Sequence, residues 1–153
     1  MKSSPFQIIN AAAGSGKTYA LVFAYLKKLL SSHHDDGYRK MLALTFTNKA
    51  VNEMKFRILD NLYLLAHHIE EDKIKDIRSS LLNDLDVDLP SLQQKAKRVL
   101  NKILHEYAAF EVITLDRFTH KIIKSFAKDL KIPASFEVTL DSDLLLEEMT
   151  ENI

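Results

Sequence analysis

One short segment constrains the fold of this chain more than any other. It is the run of small residues that ends in Gly-Lys-Thr: Ala11, Ala12, Ala13, Gly14, Ser15, Gly16, Lys17 and Thr18. The apolar residues 6–10 before it predict a strand, and the apolar residues 19–30 after it predict a helix. In this context, glycines allow the backbone to wrap around phosphate, and the N-terminus of a helix that begins near Lys17 adds amides and partial positive charge. The segment therefore predicts a phosphate-binding P-loop in an α/β fold.

The chemistry of the loop predicts a bound nucleotide with Mg²⁺. All eight residues of the loop are expected to line the phosphates, and the Lys17 ammonium is expected to reach the β- and γ-phosphates. The Thr18 hydroxyl is the candidate ligand for Mg²⁺, so Lys17 and Thr18 are the candidate catalytic residues. Ala11 departs from the general pattern, which has glycine at the first position. The alternative is a chance Gly-Lys-Thr at a helix start, which the preceding strand and the following helix disfavour.

The rest of the chain predicts a parallel sheet with a helical insertion. A second strand is expected at residues 41–46, two insertion helices at 74–85 and 92–107 with a break at 86–90, a third strand at 110–115, and a helix at 117–130. Strands that alternate with helices indicate parallel pairing. The helix at 19–30 is apolar on nearly every side and is expected to be largely buried. After residue 48, apolar positions recur at spacings of 3, 4, 4, 3 and 4, which indicates one face of a long helix: Val51, Met54, Ile58, Leu62, Leu65 and Ile69.

Length and composition exclude several classes of protein. The 153 residues predict one domain or part of one, no segment is long and apolar enough to span a membrane, and a cytoplasmic protein is the default expectation. The 21 basic and 21 acidic residues give no net charge, but residues 39–57 hold five bases and one acid, as do residues 117–131. These runs are either basic surfaces for phosphates or ordinary solvated helix faces. There is no cysteine, and the pairs at 33–34 and 67–68 are interpreted as solvated histidines because no third metal ligand accompanies them.

Two further segments carry a family resemblance. Residues 42–58, with the sequence LALTFTNKAVNEMKFRI, resemble motif Ia of superfamily 1 helicases of the UvrD/Rep and RecB/AddA type. Residues 112–118, VITLDRF, resemble the next motif of that family, although Arg117 stands where a small residue is common. The family P-loop is Ala-x-x-Gly-Ser-Gly-Lys-Thr, which accounts for Ala11. The resemblance is closest to the RecB/AddA-like helicase-nucleases.

The resemblance implies a RecA-like P-loop NTPase domain, present in part. Residues 1–138 would be the N-terminal part of the ATP-binding domain, and residues 139–153 would begin an inserted helical subdomain. The implied activity is ATP-dependent, 3′ to 5′ movement on single-stranded DNA, within a recombination or repair helicase-nuclease similar to exonuclease V. The implied cofactors are ATP and Mg²⁺, and the implied partners are single-stranded DNA and a second helicase-nuclease subunit, with no membrane.

The candidate DNA contacts lie at two strand ends. An aromatic ring can stack on a base, while hydroxyl, amide and ammonium groups can contact the sugar-phosphate backbone. For Phe46, core packing and base stacking both remain open; for Phe118, the spacing to Ile122, Phe126 and Leu130 favours core packing. The candidate DNA-binding residues are Thr45, Phe46, Thr47, Asn48, Lys49 and Thr114.

One acidic segment near the end of the sequence bears on whether the chain can catalyse hydrolysis by itself. Residues 144–148 imitate the acidic motif of these motors, but they are leucine-rich and follow a helix-starting Asp-Ser-Asp, so we interpret them as an amphipathic helix. Without that motif the chain alone is expected to be catalytically incomplete.

Two functions other than a helicase remain open from the sequence. One is a small P-loop kinase, for which residues 45–57 have no evident role, and the other is a noncatalytic nucleic-acid-binding module.

Overall fold

A computed structural model describes residues 16–69, 71–129 and 131 of the chain. The predicted strand at residues 6–10, the P-loop residues 11–15 and the segment after residue 131 lie outside the described residues. The chain divides into two compact units between Thr114 and Leu115. In the described part, the first unit contains α1 (Lys17–Leu30), β1 (Ala43–Thr45), α2 (Asn48–Ala66), α3 (Asp72–Leu85), α4 (Leu89–His105) and β2 (Val112–Thr114), and the second contains α5 (Leu115–Phe126).

The two described strands are parallel neighbours. Ala43 pairs with Val112, Leu44 with Ile113, and Thr45 with Thr114. The connection between them runs through α2, α3 and α4, and α3 and α4 form the predicted helical insertion. The prediction of parallel strands in an α/β fold is confirmed for this pair. Both strands are shorter than predicted, and Leu115, predicted to end a strand, begins α5 instead.

A single hydrophobic core joins the helices of the first unit to the strands. On α2 the predicted face is correct for Met54, Ile58, Leu62 and Leu65, which are all buried, while Val51 and Ile69 pack at its edge. The expectation that α1 is largely buried is wrong for one side, because Leu21 and Tyr19 each remain 44 % exposed. Fully buried side chains come from α1, α2, α3, α4 and β2 in turn: Leu26, Leu29, Ile58, Leu62, Ile74, Leu81, Ile103 and Val112.

The C-terminus of α2 comes before the predicted position because of a left-handed residue. His68 has φ 52°, and the Ile69 amide donates to the Leu64 carbonyl at 3.1 Å. This is the Schellman arrangement, which satisfies the last carbonyls of a helix. The periodic apolar pattern therefore continues to Ile69 although the helix ends at Ala66, since Ile69 folds back onto the core.

The start of α4 also differs from the prediction. The sequence predicts Pro90 in the break between two helices, yet it lies in the first turn of α4, where a missing amide hydrogen costs no hydrogen bond. Asp88 caps this helix, because its Oδ1 accepts from the Ser91 amide at 3.1 Å. The hydrogen bonds from Ser91 hold the pKa of Asp88 below its usual value.

Ion pairs attach the insertion to the segment around α1. The Lys27 ammonium contacts Asp84 of α3 at 2.7 Å, and Asp35 contacts both Lys95 at 2.8 Å and Arg98 at 2.9 Å on α4. Partial burial alone would raise the pKa of Asp35, but the hydrogen bonds and charges of these two cations outweigh burial and hold the pKa below its usual value. The Asp35 cluster therefore stabilises the fold through charge.

Candidate nucleotide and nucleic-acid interface

The described end of the P-loop has the backbone that a phosphate site requires. Gly16 has φ 79° and ψ 14°, a left-handed conformation that favours glycine, and it directly precedes the first residue of α1. Its carbonyl accepts from the Ala20 amide at 2.9 Å, which starts the helix. Among the described residues, no atom lies within 4 Å of the position that a Cβ on Gly16 would occupy. The helix begins at Lys17, where the P-loop pattern predicts its N-terminus.

The two candidate catalytic residues occupy the first turn of α1. Lys17 and Thr18 are both exposed, and they follow Gly16 at the helix N-terminus, where backbone amides and the helix dipole favour an anion. This part of the structure fits a phosphate group with its Mg²⁺. Contacts of residues 11–15 with phosphate lie outside the described residues, so their assignment stays a prediction.

The candidate DNA-binding residues from both strands meet at one edge of the sheet. Thr45 and Thr114 are the last residues of β1 and β2 and are paired in register. Ligands of open parallel sheets bind beyond the carboxyl ends of the strands, which is where these residues lie. The parallel pairing therefore brings together two candidate residues that are separated by 69 positions in the sequence, from 45 to 114.

Phe46 projects from this edge into solvent. Its side chain is 84 % exposed, more than any other large hydrophobic side chain in the described residues. Phe46 therefore does not pack into the core formed by the described residues, and its stacking on a base stays a prediction. Because an exposed phenyl ring gains nothing from the core, its position requires another explanation.

Two threonines fix the turn that carries Phe46. The Thr47 Oγ1 accepts from the Ala50 amide at 3.1 Å, and the Thr47 carbonyl accepts from the Val51 amide at 3.0 Å, so Thr47 is the N-cap of α2. The Thr45 hydroxyl donates to the same Thr47 carbonyl at 3.3 Å. The sequence interpretation missed this capping function, although a threonine just before a periodic helix is a typical N-cap signal.

Both arginines of the basic run at residues 39–57 are paired with acidic side chains. Arg57 contacts Glu53 at 2.8 Å, one turn away on α2, and Arg39 is paired with Glu106. In contrast, no carboxylate or carbonyl of the described residues engages the exposed Lys49 ammonium. The ion-paired arginines are typical of an ordinary solvated surface, one of the two interpretations open from the sequence, whereas Lys49 presents an exposed ammonium close to the carboxyl ends of the strands.

Lys55, in the same basic run, contacts two aromatic rings. Its ammonium lies 4.7 Å from the centre of the Tyr107 ring and 5.7 Å from that of Phe110. This cation–π contact joins α2 to the segment that leads into β2.

The histidine pair at residues 67–68 lies in ordinary surroundings for a helix end. His67 stacks on Tyr63 with ring centres 4.4 Å apart, and its Nδ1 lies 3.2 Å from the Tyr63 carbonyl. Among the residues that the structure describes, no three histidine or acidic side chains are grouped as metal ligands would be. No described helix combines the length and the hydrophobicity that crossing a bilayer requires.

Comparisons with known proteins identify the family to which the chain belongs. The family described as "UvrD/REP helicase N-terminal domain" matches residues 3–153. The relatives are ATP-dependent helicase/nuclease subunits: over 148 residues the chain is 31 % identical to one from Bacillus cytotoxicus, 30 % to one from Natranaerobius thermophilus and 29 % to one from Bacillus cereus. In each case the alignment covers 95 % of this chain and 10 % of the relative. No solved structure gives a significant match.

Proposed function

Because the chain belongs to the UvrD/Rep helicase family, we propose that it forms the nucleotide- and strand-binding part of an ATP-dependent DNA helicase. The relatives named as helicase/nuclease subunits support a role in a helicase-nuclease of recombination or repair. The chain spans about one tenth of the length of these relatives, so we propose the helicase activity for a full protein of that kind that contains this chain. The family match also disfavours the small-kinase alternative.

The observation that carries the proposal is the exposed edge around Phe46. A phenyl ring that is 84 % exposed follows β1 directly, and the Lys49 ammonium is available three residues later, in the first turn of α2. Bases offer aromatic faces and the backbone offers phosphates, so a single strand satisfies both groups at once. A duplex buries its bases in the stack and gives the ring nothing to contact. The proposed strand contacts are therefore Phe46, Asn48, Lys49 and the hydroxyl-bearing residues Thr47 and Thr114, with Thr45 beside them at the end of β1.

The nucleotide is assigned to the N-terminus of α1. We propose that Lys17 holds the β- and γ-phosphates of ATP, that Thr18 is the protein ligand of Mg²⁺, and that residues 11–16 wrap the phosphates. Bound Mg²⁺ supplies charge compensation for the phosphates. Neither Lys17 nor Thr18 can orient an attacking water as well as bind phosphate, so we propose that the chain alone hydrolyses no ATP.

Movement along DNA follows from coupling these two sites. In the proposed motor, nucleotide binding beside Lys17 alternates with release, and the strand moves past Phe46 and Lys49 in each cycle. On the family resemblance we also propose 3′ to 5′ travel, a cytoplasmic location, and a partner that is a second helicase-nuclease subunit.

A binding experiment tests the strand assignment on the chain itself. Fluorescence anisotropy of labelled oligothymidylate is measured against protein concentration, with unlabelled single strand or duplex of the same length as competitor. The single strand is expected to compete better than the duplex. Equal competition by duplex would indicate a general phosphate surface, and the absence of binding would contradict the strand interface. Phosphate transfer from ATP to a small acceptor, independent of DNA, would revive the kinase alternative.

A further inference from the structure

The arrangement of hydrogen bonds at the end of β1 separates residues that touch the strand from one that positions them. Resting on the proposed function, we infer that Thr45 is a positioning residue: its hydroxyl holds the Thr47 carbonyl and so fixes the backbone that presents the Phe46 ring to the strand, without contacting DNA itself.

The Thr45 hydroxyl is already engaged within the protein. Its hydrogen donates to the Thr47 carbonyl oxygen at 3.3 Å, across the one residue that bears the exposed ring. A hydroxyl has one hydrogen to donate, so while this bond exists Thr45 cannot donate to a phosphate oxygen. Phosphate accepts hydrogen bonds and does not donate them when ionised, so the Thr45 oxygen also offers it nothing.

Thr45 and Thr47 together restrict the backbone conformation around Phe46. The carbonyl that Thr45 holds belongs to the N-cap of α2, and the same carbonyl accepts from the Val51 amide at 3.0 Å. The Thr47 side chain accepts from the Ala50 amide at 3.1 Å. Phe46 is therefore fixed on one side by the strand and on the other by the first turn of the helix.

The Phe46 ring lacks packing contacts that would hold it in place. At 84 % exposure, Phe46 has almost no packing of its own to hold its direction. Binding a strand through the ring also orders the backbone that carries it, and a backbone that is already fixed avoids that part of the entropic cost. Thr45 is thus expected to raise strand affinity only through Phe46.

A double-mutant cycle tests this inference directly. Affinity of the chain for labelled oligothymidylate is measured for the wild type, Thr45→Val, Phe46→Ala and the double variant. Valine keeps the shape and strand preference of threonine and removes only the hydroxyl. We expect Thr45→Val to weaken binding about five-fold when Phe46 is present and less than about two-fold when Phe46 is alanine, since the two act through one contact.

The controls separate positioning from general stability. Thr45→Ser retains the hydroxyl and is expected to restore affinity to within about two-fold of the wild type. Ser31→Ala removes a comparable local bond, from the Ser31 hydroxyl to the Lys28 carbonyl at 3.0 Å, and is expected to leave DNA affinity unchanged. Circular dichroism and thermal unfolding of every variant establish that it is folded, and Thr45→Ala takes the place of Thr45→Val if the valine variant does not fold.

Each other outcome overturns the inference in a recognisable way. Equal losses from Thr45→Val in both backgrounds would show that Thr45 contacts the strand directly. No loss in either background would show that the hydroxyl has no role in binding. If Phe46→Ala itself leaves affinity unchanged, the strand interface of the proposed function fails, and the positioning role fails with it.

Discussion

Truncating Phe46 and Lys49 separately should give two different signatures in one assay. Because Phe46 is 84 % exposed, Phe46→Ala should change the free energy of unfolding by less than about 0.5 kcal/mol. Loss of one stacked base should cost about 1–3 kcal/mol of binding, roughly a five- to 150-fold weaker affinity, with little dependence on salt. Lys49→Ala should instead lower the slope of log K against log salt by about 0.7, the value for one phosphate contact on a single strand.

The assay is anisotropy of labelled oligothymidylate at several KCl concentrations, beside urea unfolding of each variant. Lys40→Ala is the matched control, because Lys40 is also exposed and belongs to the same basic run but precedes β1, at the opposite end of the strand. Its slope should equal that of the wild type. The reasoning is refuted if Phe46→Ala lowers stability and leaves affinity intact, or if Lys40→Ala and Lys49→Ala change the slope equally.

Two further predictions concern the fold. Asp35→Asn should lower the free energy of unfolding by about 1–2 kcal/mol at pH 7, because Asp35 and Lys95 are only 21 % and 13 % exposed, whereas Asp84→Asn, in a half-exposed pair, should cost less than about 0.5 kcal/mol. Since the pKa of Asp35 is lowered in the folded state, its contribution is present above the unfolded pKa of about 3.9 and is lost as the pH falls through the folded value. The difference between Asp35→Asn and wild type in urea unfolding should therefore shrink as the pH is lowered below the unfolded pKa, and a difference that stays constant on acidification would contradict the charge argument. Tyr25→Phe should leave stability unchanged or raise it by up to about 1 kcal/mol in thermal unfolding, because the buried Tyr25 hydroxyl has no hydrogen-bond partner within the described structure and burial raises its pKa; a loss above about 1 kcal/mol would reveal a bond to that hydroxyl.

Local pattern predicted the helices and the parallel strand pair, because periodicity reports which side chains must be buried. The face from Met54 to Leu65 on α2 is correct since a 3.6-residue period leaves one solution for a long amphipathic helix. Element ends were less predictable because they depend on single backbone conformations. The left-handed His68 ends α2 early, and Pro90 lies in the first turn of α4 where the sequence suggested a break.

The candidate site was predicted as a set of residues but not as a set of contacts. The motif at residues 42–58 identified Phe46 and Lys49, yet the partner of Arg39, Glu106, is 67 positions away and could not be read from a local run of charges. The same limit applies to Lys55, whose aromatic partners precede β2. Such pairs depend on how helices pack, so composition alone could not separate a basic surface for phosphates from ion-paired, solvated side chains.

The most direct test of the central claim is phosphate release from ATP by the protein that contains this chain, with and without single-stranded DNA. We predict turnover that requires Mg²⁺, rises when single-stranded DNA is added, and falls by at least about 100-fold in Lys17→Ala, because the charge opposite the phosphates is lost. Circular dichroism should show an unchanged fold, since Lys17 is an exposed residue of the first turn of α1. Turnover retained in folded Lys17→Ala, or turnover that does not respond to single-stranded DNA, would contradict the account.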